Sequence, residues 1–204
     1  ENYYQPEKIV KKDKTTLFYY SDDKSGFFIE SDLRANYQQE NLATVFLSIA
    51  TLRAFDYKIE NDAAIRGFLH VAKNTNFIAF WQQLQSQPTI IADVGHNEAG
   101  VQKIKEQLLT EKYNKLHIVY GAVKDKDISS ILSLLPKDAT YYFTEPPLPR
   151  KLEVEILAEL ANEYQLKGNE YTHPALALEA AKQQAAIDDL ILVIGSFFVV
   201  AEII

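Results

Sequence analysis

The chain has 204 residues, 47% of them hydrophobic and 24% charged, with 12 Tyr and 11 Phe. That is room for one large domain or two small ones, with enough apolar mass for a sizeable core. A net charge of −7 lacks the basic face that a duplex demands, so no nucleic-acid partner is expected, although a local cationic pocket for a small anion is still allowed.

No apolar run is long enough to cross a bilayer, no signal-peptide pattern is present and there is no cysteine. The expectation is a soluble, cytoplasmic, monomeric protein with no membrane partner, no disulfide and no cysteine-bound metal. Methionine is absent and the chain opens on Glu1-Asn2-Tyr3, which reads as a processed product or a fragment.

In chain order, "TTLFYY" (15–20) and "FFIESDL" (27–33) flank the turn-rich "SDDKSG", the pattern of a β-hairpin with a loop longer than two residues. Leu42, Val45, Phe46, Ile49 and Leu52 keep helical spacing, as do Ile65, Phe68, Leu69 and Ala72, with Asn61 in N-cap position before the second set. The periodicity fails around "NTNFIAFWQQLQSQP" (74–88), where a linker is expected over residues 81–87. From Pro88 onward strands and helices alternate. "TIIADV" precedes a helix carrying Val101, Ile104 and Leu108 on one face. "LHIVYGAV" precedes a helix carrying Ile128, Ile131, Leu132 and Leu135, "ATYYFT" precedes "LEVEILAELANEY", and "LILVIGS" follows an alanine-rich helix. Near-continuous apolar strands alternating with helices mean a mostly parallel sheet covered on both faces. The fold class is therefore α/β, with a Rossmann-like domain over residues 88–204 preceded by an α+β segment over 1–80.

In such a sheet ligands bind beyond the carboxyl ends of the strands, so the residues that end each strand matter most. The first strand ends in Asp93-Val94-Gly95-His96-Asn97. Gly95 lets the backbone bend, Asn97 can cap the following helix, and the free N–H groups there favour an anion that His96 could help to hold. The competing reading is a capped turn with an incidental histidine. The second strand ends in "YGAVKDKD", where Asp125 and Lys126 face the crevice or are solvated charges, and Asp127 suits a cap. The third ends in "FTEPPLPR", whose prolines would hold Arg150 in a fixed direction. The last ends in Gly195-Ser196, a tight turn. His117, inside an apolar strand, reads as a satisfied core residue. No histidine pair has a metal-ligand spacing, and neither G-x-x-x-x-G-K-[ST], G-x-G-x-x-G nor G-x-S-x-G occurs.

Taken in order, "YQQENLATV", "PTIIADVGHNEAG", "GAVKDKD", "YYFTEPPLPR" and "VIGSFFVVAEI" resemble folylpolyglutamate synthase/dihydrofolate synthase of the Mur ligase superfamily, from Tyr37 to the end of the chain. The resemblance implies the end of a P-loop ATPase domain (1–80), a linker (81–87) and a C-terminal domain (88–204), without the P-loop portion. It also implies an ATP- and Mg²⁺-dependent ligase that phosphorylates a folate or dihydropteroate carboxylate and joins it to L-glutamate through an acyl phosphate. It places His96 and Lys126 among the catalytic residues, with His96 near the phosphates or the incoming glutamate. Asp93, Asn97 and Asn41 fall on the nucleotide side, Asp93 near the ribose, and Ser196, Asp125 and Arg150 on the substrate side. The family's linker usually carries Gly-Arg-Trp where this chain has Ala79-Phe80-Trp81. Two alternatives stand beside it: a Mur ligase acting on a UDP-muramoyl peptide, and a relative that kept the fold without the chemistry.

Overall fold

The computed structural model describes residues 5–21, 25–124 and 127–204, and the chain divides into two compact units, Glu1–Ile78 and Ala79–Ile204. In the first, β1 (Gln5–Lys11), β2 (Thr16–Ser21) and β3 (Gly26–Ser31) form an antiparallel sheet in that order. The expected hairpin is β2–β3, closed at the Ser21–Gly26 pair in unbroken register. β1 was not anticipated. Its sequence is rich in charge, as suits an edge strand paired on one side only.

Three helices follow: α1 (Gln38–Ala54), α2 (Asn61–Leu69) and α3 (Val71–Thr75). The periodic stretch from Ile65 to Ala72 is thus two helices, broken at His70, and the Asp32 carboxylate accepts from the Ala72 and Lys73 N–H groups at 3.1 and 3.2 Å to cap the second. Glu60, not Asn61, holds the N-cap position of α2. Phe18, Tyr20, Ile29, Leu33, Leu42 and Phe68 make the core, with the Phe27 ring stacked on both Tyr20 and Phe46 at centroid distances of 5.1 and 4.4 Å. α1 bears a polar stripe of Asn41, Thr44, Ser48 and Thr51, yet it also leaves apolar side chains uncovered. Leu42 is buried and Phe46 half-buried, while Val45, Leu47 and Leu52 are exposed and Phe55, just past its end, is 73% exposed.

The second unit carries a six-stranded sheet: β4 (Gln82–Ser86), β5 (Thr89–Ala92), β6 (Leu116–Gly121), β7 (Thr140–Thr144), β8 (Gly168–Tyr171) and β9 (Leu190–Ile194). The spatial order is β4-β5-β9-β6-β7-β8, with only the β4–β5 pair antiparallel. Residues 81–87, expected as a linker, are a correction: most of them form β4, which hairpins onto β5 across a turn containing the cis Gln87–Pro88 peptide. The glutamine-rich run hides the strand because an edge strand need not be apolar.

The helices are α4 (Glu98–Leu108), α5 (Ile128–Leu134), α6 (Val154–Glu163), α7 (Pro174–Gln184) and α8 (Phe197–Ala201). Strand side chains alternate between faces, and both sets are buried. Ile90, Ala92, Val119, Tyr142, Ile191 and Val193 pack with Ala177, Leu178 and Ala181 of α7 and Val199 and Val200 of α8. On the other parity Ile91, Ile118, Tyr120, Tyr141, Phe143 and Leu192 are equally buried. At the amino ends of the strands His117 is held between the Tyr142 hydroxyl (3.0 Å) and the Asp189 carboxylate (3.3 Å). It is the satisfied core histidine the sequence suggests. Burial opposes the charge on Asp189, but hydrogen bonds from the Ala186 N–H, His117 and the Lys115 N–H outweigh it and hold the carboxyl below its ordinary value.

Candidate functional site

β5 runs through α4 to β6, two places along the sheet, and β9 fills the gap between them. That reversal is a switch point, where the carboxyl ends of neighbouring strands splay their following turns apart. The turns after β5, β9, β6 and β7 therefore lie side by side, and among the described residues they carry His96, Ser196, Lys124 with Asp127, and Glu145–Arg150 in turn.

The turn after β5 is built around Asp93, which is 3% exposed. One carboxylate oxygen accepts from the Gly95 N–H at 2.9 Å and the other from the Trp81 N–H at 2.8 Å. The carboxylate is turned inward onto the backbone. Nothing in the sequence marks this inward bonding, because both partners are main-chain groups. Asn97 is the N-cap of α4, its side chain accepting from the Gly100 N–H at 2.8 Å. Gly95 is needed for helix packing, since a Cβ there would lie 2.4 Å from the Ile104 Cδ1.

His96 is half-buried, with Nδ1 2.9 Å from the Val94 carbonyl oxygen. A carbonyl can only accept, so Nδ1 carries a proton and donates. In the neutral ring Nε2 is then the free lone pair. The His96 ring also leans on Phe197, centroids 5.9 Å apart at 47°.

Ser196 ends β9 as the N-cap of α8, buried, with its hydroxyl oxygen accepting from the Val199 N–H at 3.1 Å. The preceding Gly195 sits at φ +117°, and a Cβ on it would come within 2.1 Å of the Gly121 carbonyl oxygen, so only glycine fits. Arg150 is exposed and its guanidinium lies over the Phe198 ring at 5.1 Å. The Phe197-Phe198 pair at the start of α8 thus touches His96 on one side and Arg150 on the other. Sequence reasoning passed over both. Two aromatics directly after a strand-ending Gly-Ser were the available signal.

Asp125 and Lys126 lie outside the described residues. Their neighbours are engaged: Lys124 bonds Glu153 at 2.9 Å, and Asp127 caps α5 by accepting from the Ser130 N–H and hydroxyl at 3.1 and 2.8 Å. Those bonds to Ser130 hold the Asp127 carboxyl below its ordinary value, and Lys124 does the same for Glu153. Glu145, also overlooked, is buried. It pairs with Lys151, whose ammonium it pushes up, and accepts from the Val154 N–H at 3.0 Å, fixing the proline loop that carries Arg150. Asn41 belongs to the first unit, exposed on α1, with its amide donating to Gln38 at 2.8 Å beside an apolar groove that includes Leu42, Val45 and Phe77. Among the described residues no cluster of three His, Asp or Glu could hold a metal ion, and no helix is long and apolar enough to cross a membrane.

Comparison with known proteins finds the Mur ligase glutamate ligase domain over residues 81–197. The dihydrofolate synthase/folylpolyglutamate synthase of Escherichia coli strain K12 is 29% identical over 168 residues, covering 81% of this chain and 37% of that protein. A probable bifunctional folylpolyglutamate synthase/dihydropteroate synthase of Haloferax volcanii is also 29% identical, over 81% of this chain and 19% of its own length. The chain therefore spans well under half the length of these curated relatives. Among solved structures, E. coli FolC in complex with DHPP and ADP aligns with a TM-score of 0.71 at 26% identity, covering 95% of this chain and 44% of that one. A Mycobacterium tuberculosis folylpolyglutamate synthase aligns with a TM-score of 0.79 at 21% identity, over 98% of this chain and 46% of that one, a likeness of fold. With more than half of its residues matched by that domain, the chain belongs to the Mur ligase family.

Proposed function

We propose that this chain is part of an ATP-dependent ligase that joins L-glutamate to folate or dihydropteroate through an acyl phosphate, working as a cytoplasmic monomer. One observation carries the reading. His96, fixed by its Nδ1–H to the Val94 carbonyl with Nε2 left as the lone pair of the neutral ring, stands at the switch point of a glutamate ligase domain whose E. coli relative was solved with DHPP and ADP.

In this reading residues 1–78 end a larger ATPase domain. α1 supports that, since its exposed Val45, Leu47 and Leu52, with Phe55 just beyond, are apolar surface that a bigger body would cover. Residues 79–204 are the glutamate ligase domain of that enzyme. ATP, when bound, supplies the phosphoryl group that activates the carboxylate. His96 fits that chemistry because the Nε2 lone pair on a rigid turn can accept from the incoming amine and orient it, and once protonated can donate to developing charge. Lys126 is the second catalytic residue of this reading, Asn97 and Asn41 serve the nucleotide side, and Ser196, Asp125 and Arg150 the substrate side. Asp93 contributes by fixing the turn. The described residues do not fit a Mg²⁺ site of their own.

The test is steady-state ligation by the complete protein. His96→Ala should lower kcat on the order of 10²–10³-fold, as loss of one preorganised donor does, with the melting temperature nearly unchanged. The 204-residue chain by itself should show no folate- and glutamate-dependent ADP release. Near-normal turnover in His96→Ala would return the turn to a capped helix start.

A further inference from the structure

We propose that Phe80 is a positioning residue for His96, acting through the ring of Phe197. The inference rests on the reading of His96 as the group that meets the substrate. Phe80 is bracketed by two residues in the left-handed region, Ala79 at φ 65° and Trp81 at φ 54°. Neither is glycine, so the conformation persists only because the surroundings impose it. The Ala79 N–H donates to the Gln82 side-chain oxygen at 2.8 Å, its carbonyl accepts from the Val94 N–H at 2.9 Å, and the Trp81 N–H donates to Asp93 at 2.8 Å. Trp81 is itself buried at 3% exposure. The backbone on both sides of Phe80 is therefore pinned, and so is the direction of its ring.

That ring meets Phe197 edge to face, centroids 6.3 Å apart at 73°. Phe197 is 52% exposed, and both of its ring partners, Phe80 and His96, lie on its covered part. On its other side Phe197 meets the His96 ring at 5.9 Å. The Nδ1 bond to Val94 holds His96 at one atom and leaves the ring plane to be set by a second contact, which Phe197 supplies. The rings of Phe80, Phe197 and His96 thus form a row. A change in the backbone at residues 79–81 reaches Nε2 along it.

The readout is the His96 imidazole by proton–nitrogen correlation NMR on the 204-residue chain. Phe197→Ala should shift the His96 ring resonances. Phe80→Ala should shift them too, Phe80→Tyr should restore them, and in the Phe197→Ala background Phe80→Ala should add nothing. Phe80→Leu, which keeps apolar contact with the core, serves if the alanine variant does not fold. In the complete protein Phe80→Ala should lower kcat about two- to tenfold, the worth of one aromatic pair, and should have no further effect once His96 is alanine. His96 resonances unmoved by Phe80→Ala overturn the relay, whatever the kinetics show. Normal turnover in His96→Ala instead overturns the ligase role of His96 and leaves the NMR result to decide the relay by itself.

Discussion

Asp93→Ala removes the acceptor of two main-chain N–H groups, those of Trp81 and Gly95. Hydrogen bonds to a charged acceptor contribute about 1.5–3 kcal/mol each. The Trp81 end is buried and should cost the full amount. Gly95 is half-exposed, so water can reach its N–H and soften the loss there. The expected destabilisation is about 3 kcal/mol, roughly 10 °C in melting temperature for a domain of this size. Asp93→Asn should rescue little, because its amide nitrogen would face one of the two N–H groups. The chain supplies its own reporter: Trp81 is its single tryptophan and is 3% exposed. Its emission should move to the red in the native state of Asp93→Ala, and denaturant unfolding followed at the same signal gives the free energy. A variant within 1 kcal/mol of the parent, with unchanged emission, would refute the inward role and return Asp93 to facing a ligand.

Two further expectations follow from packing and burial. Gly195→Ala should cost at least ~3 kcal/mol, since its Cβ would meet a backbone oxygen at 2.1 Å, whereas Gly67→Ala, with nothing within 4 Å on α2, should stabilise by about 0.5–1 kcal/mol; equal melting temperatures for the two would contradict the geometry. Burial pushes the hydroxyl of Tyr142 up to about 12, helped by Tyr171 and Asp189, and raises Tyr120 and Tyr141 as well. A raised value favours the neutral folded form, so this stability is complete below the ordinary tyrosine value near ~10 and is lost as pH rises through the folded values. Tyrosinate absorbance from these residues should therefore appear together with loss of circular dichroism, and ionisation well ahead of unfolding would show them to be less enclosed.

What the sequence disclosed tracks how each segment meets water. β5, β6, β7 and β9 are covered on both faces, so their apolar runs announce them. β4 and β8 lie at the edges with largely polar, exposed residues, and such a strand looks like a loop until its pairing is known. Caps were legible where a short polar side chain precedes a periodic run, at Asn97 and Asp127. The break at His70 was not, because it depends on Asp32, some forty residues away in the chain. In the site, His96 and Ser196 could be placed at strand ends from pattern alone. The inward turn of Asp93 and the bridging by Phe197 and Phe198 are three-dimensional facts, set by which strand ends become neighbours.

Of the six strands of this sheet, β9 comes latest in the sequence and is one of the middle ones. It pairs with β5 from Thr89–Leu190 to Ala92–Val193 and with β6 from Leu116–Leu190 to Tyr120–Ile194. During synthesis, then, one hairpin and one three-stranded piece exist before anything joins them, each with a bare apolar edge of the kind that recruits other chains. Neither half can hold the other by itself, since β5 and β6 are not neighbours. A ribosome that stalls before Leu190 would release two adhesive half-sheets on one tether. Upstream stop codons in this gene are thus expected to be felt first as aggregation and only then as missing activity.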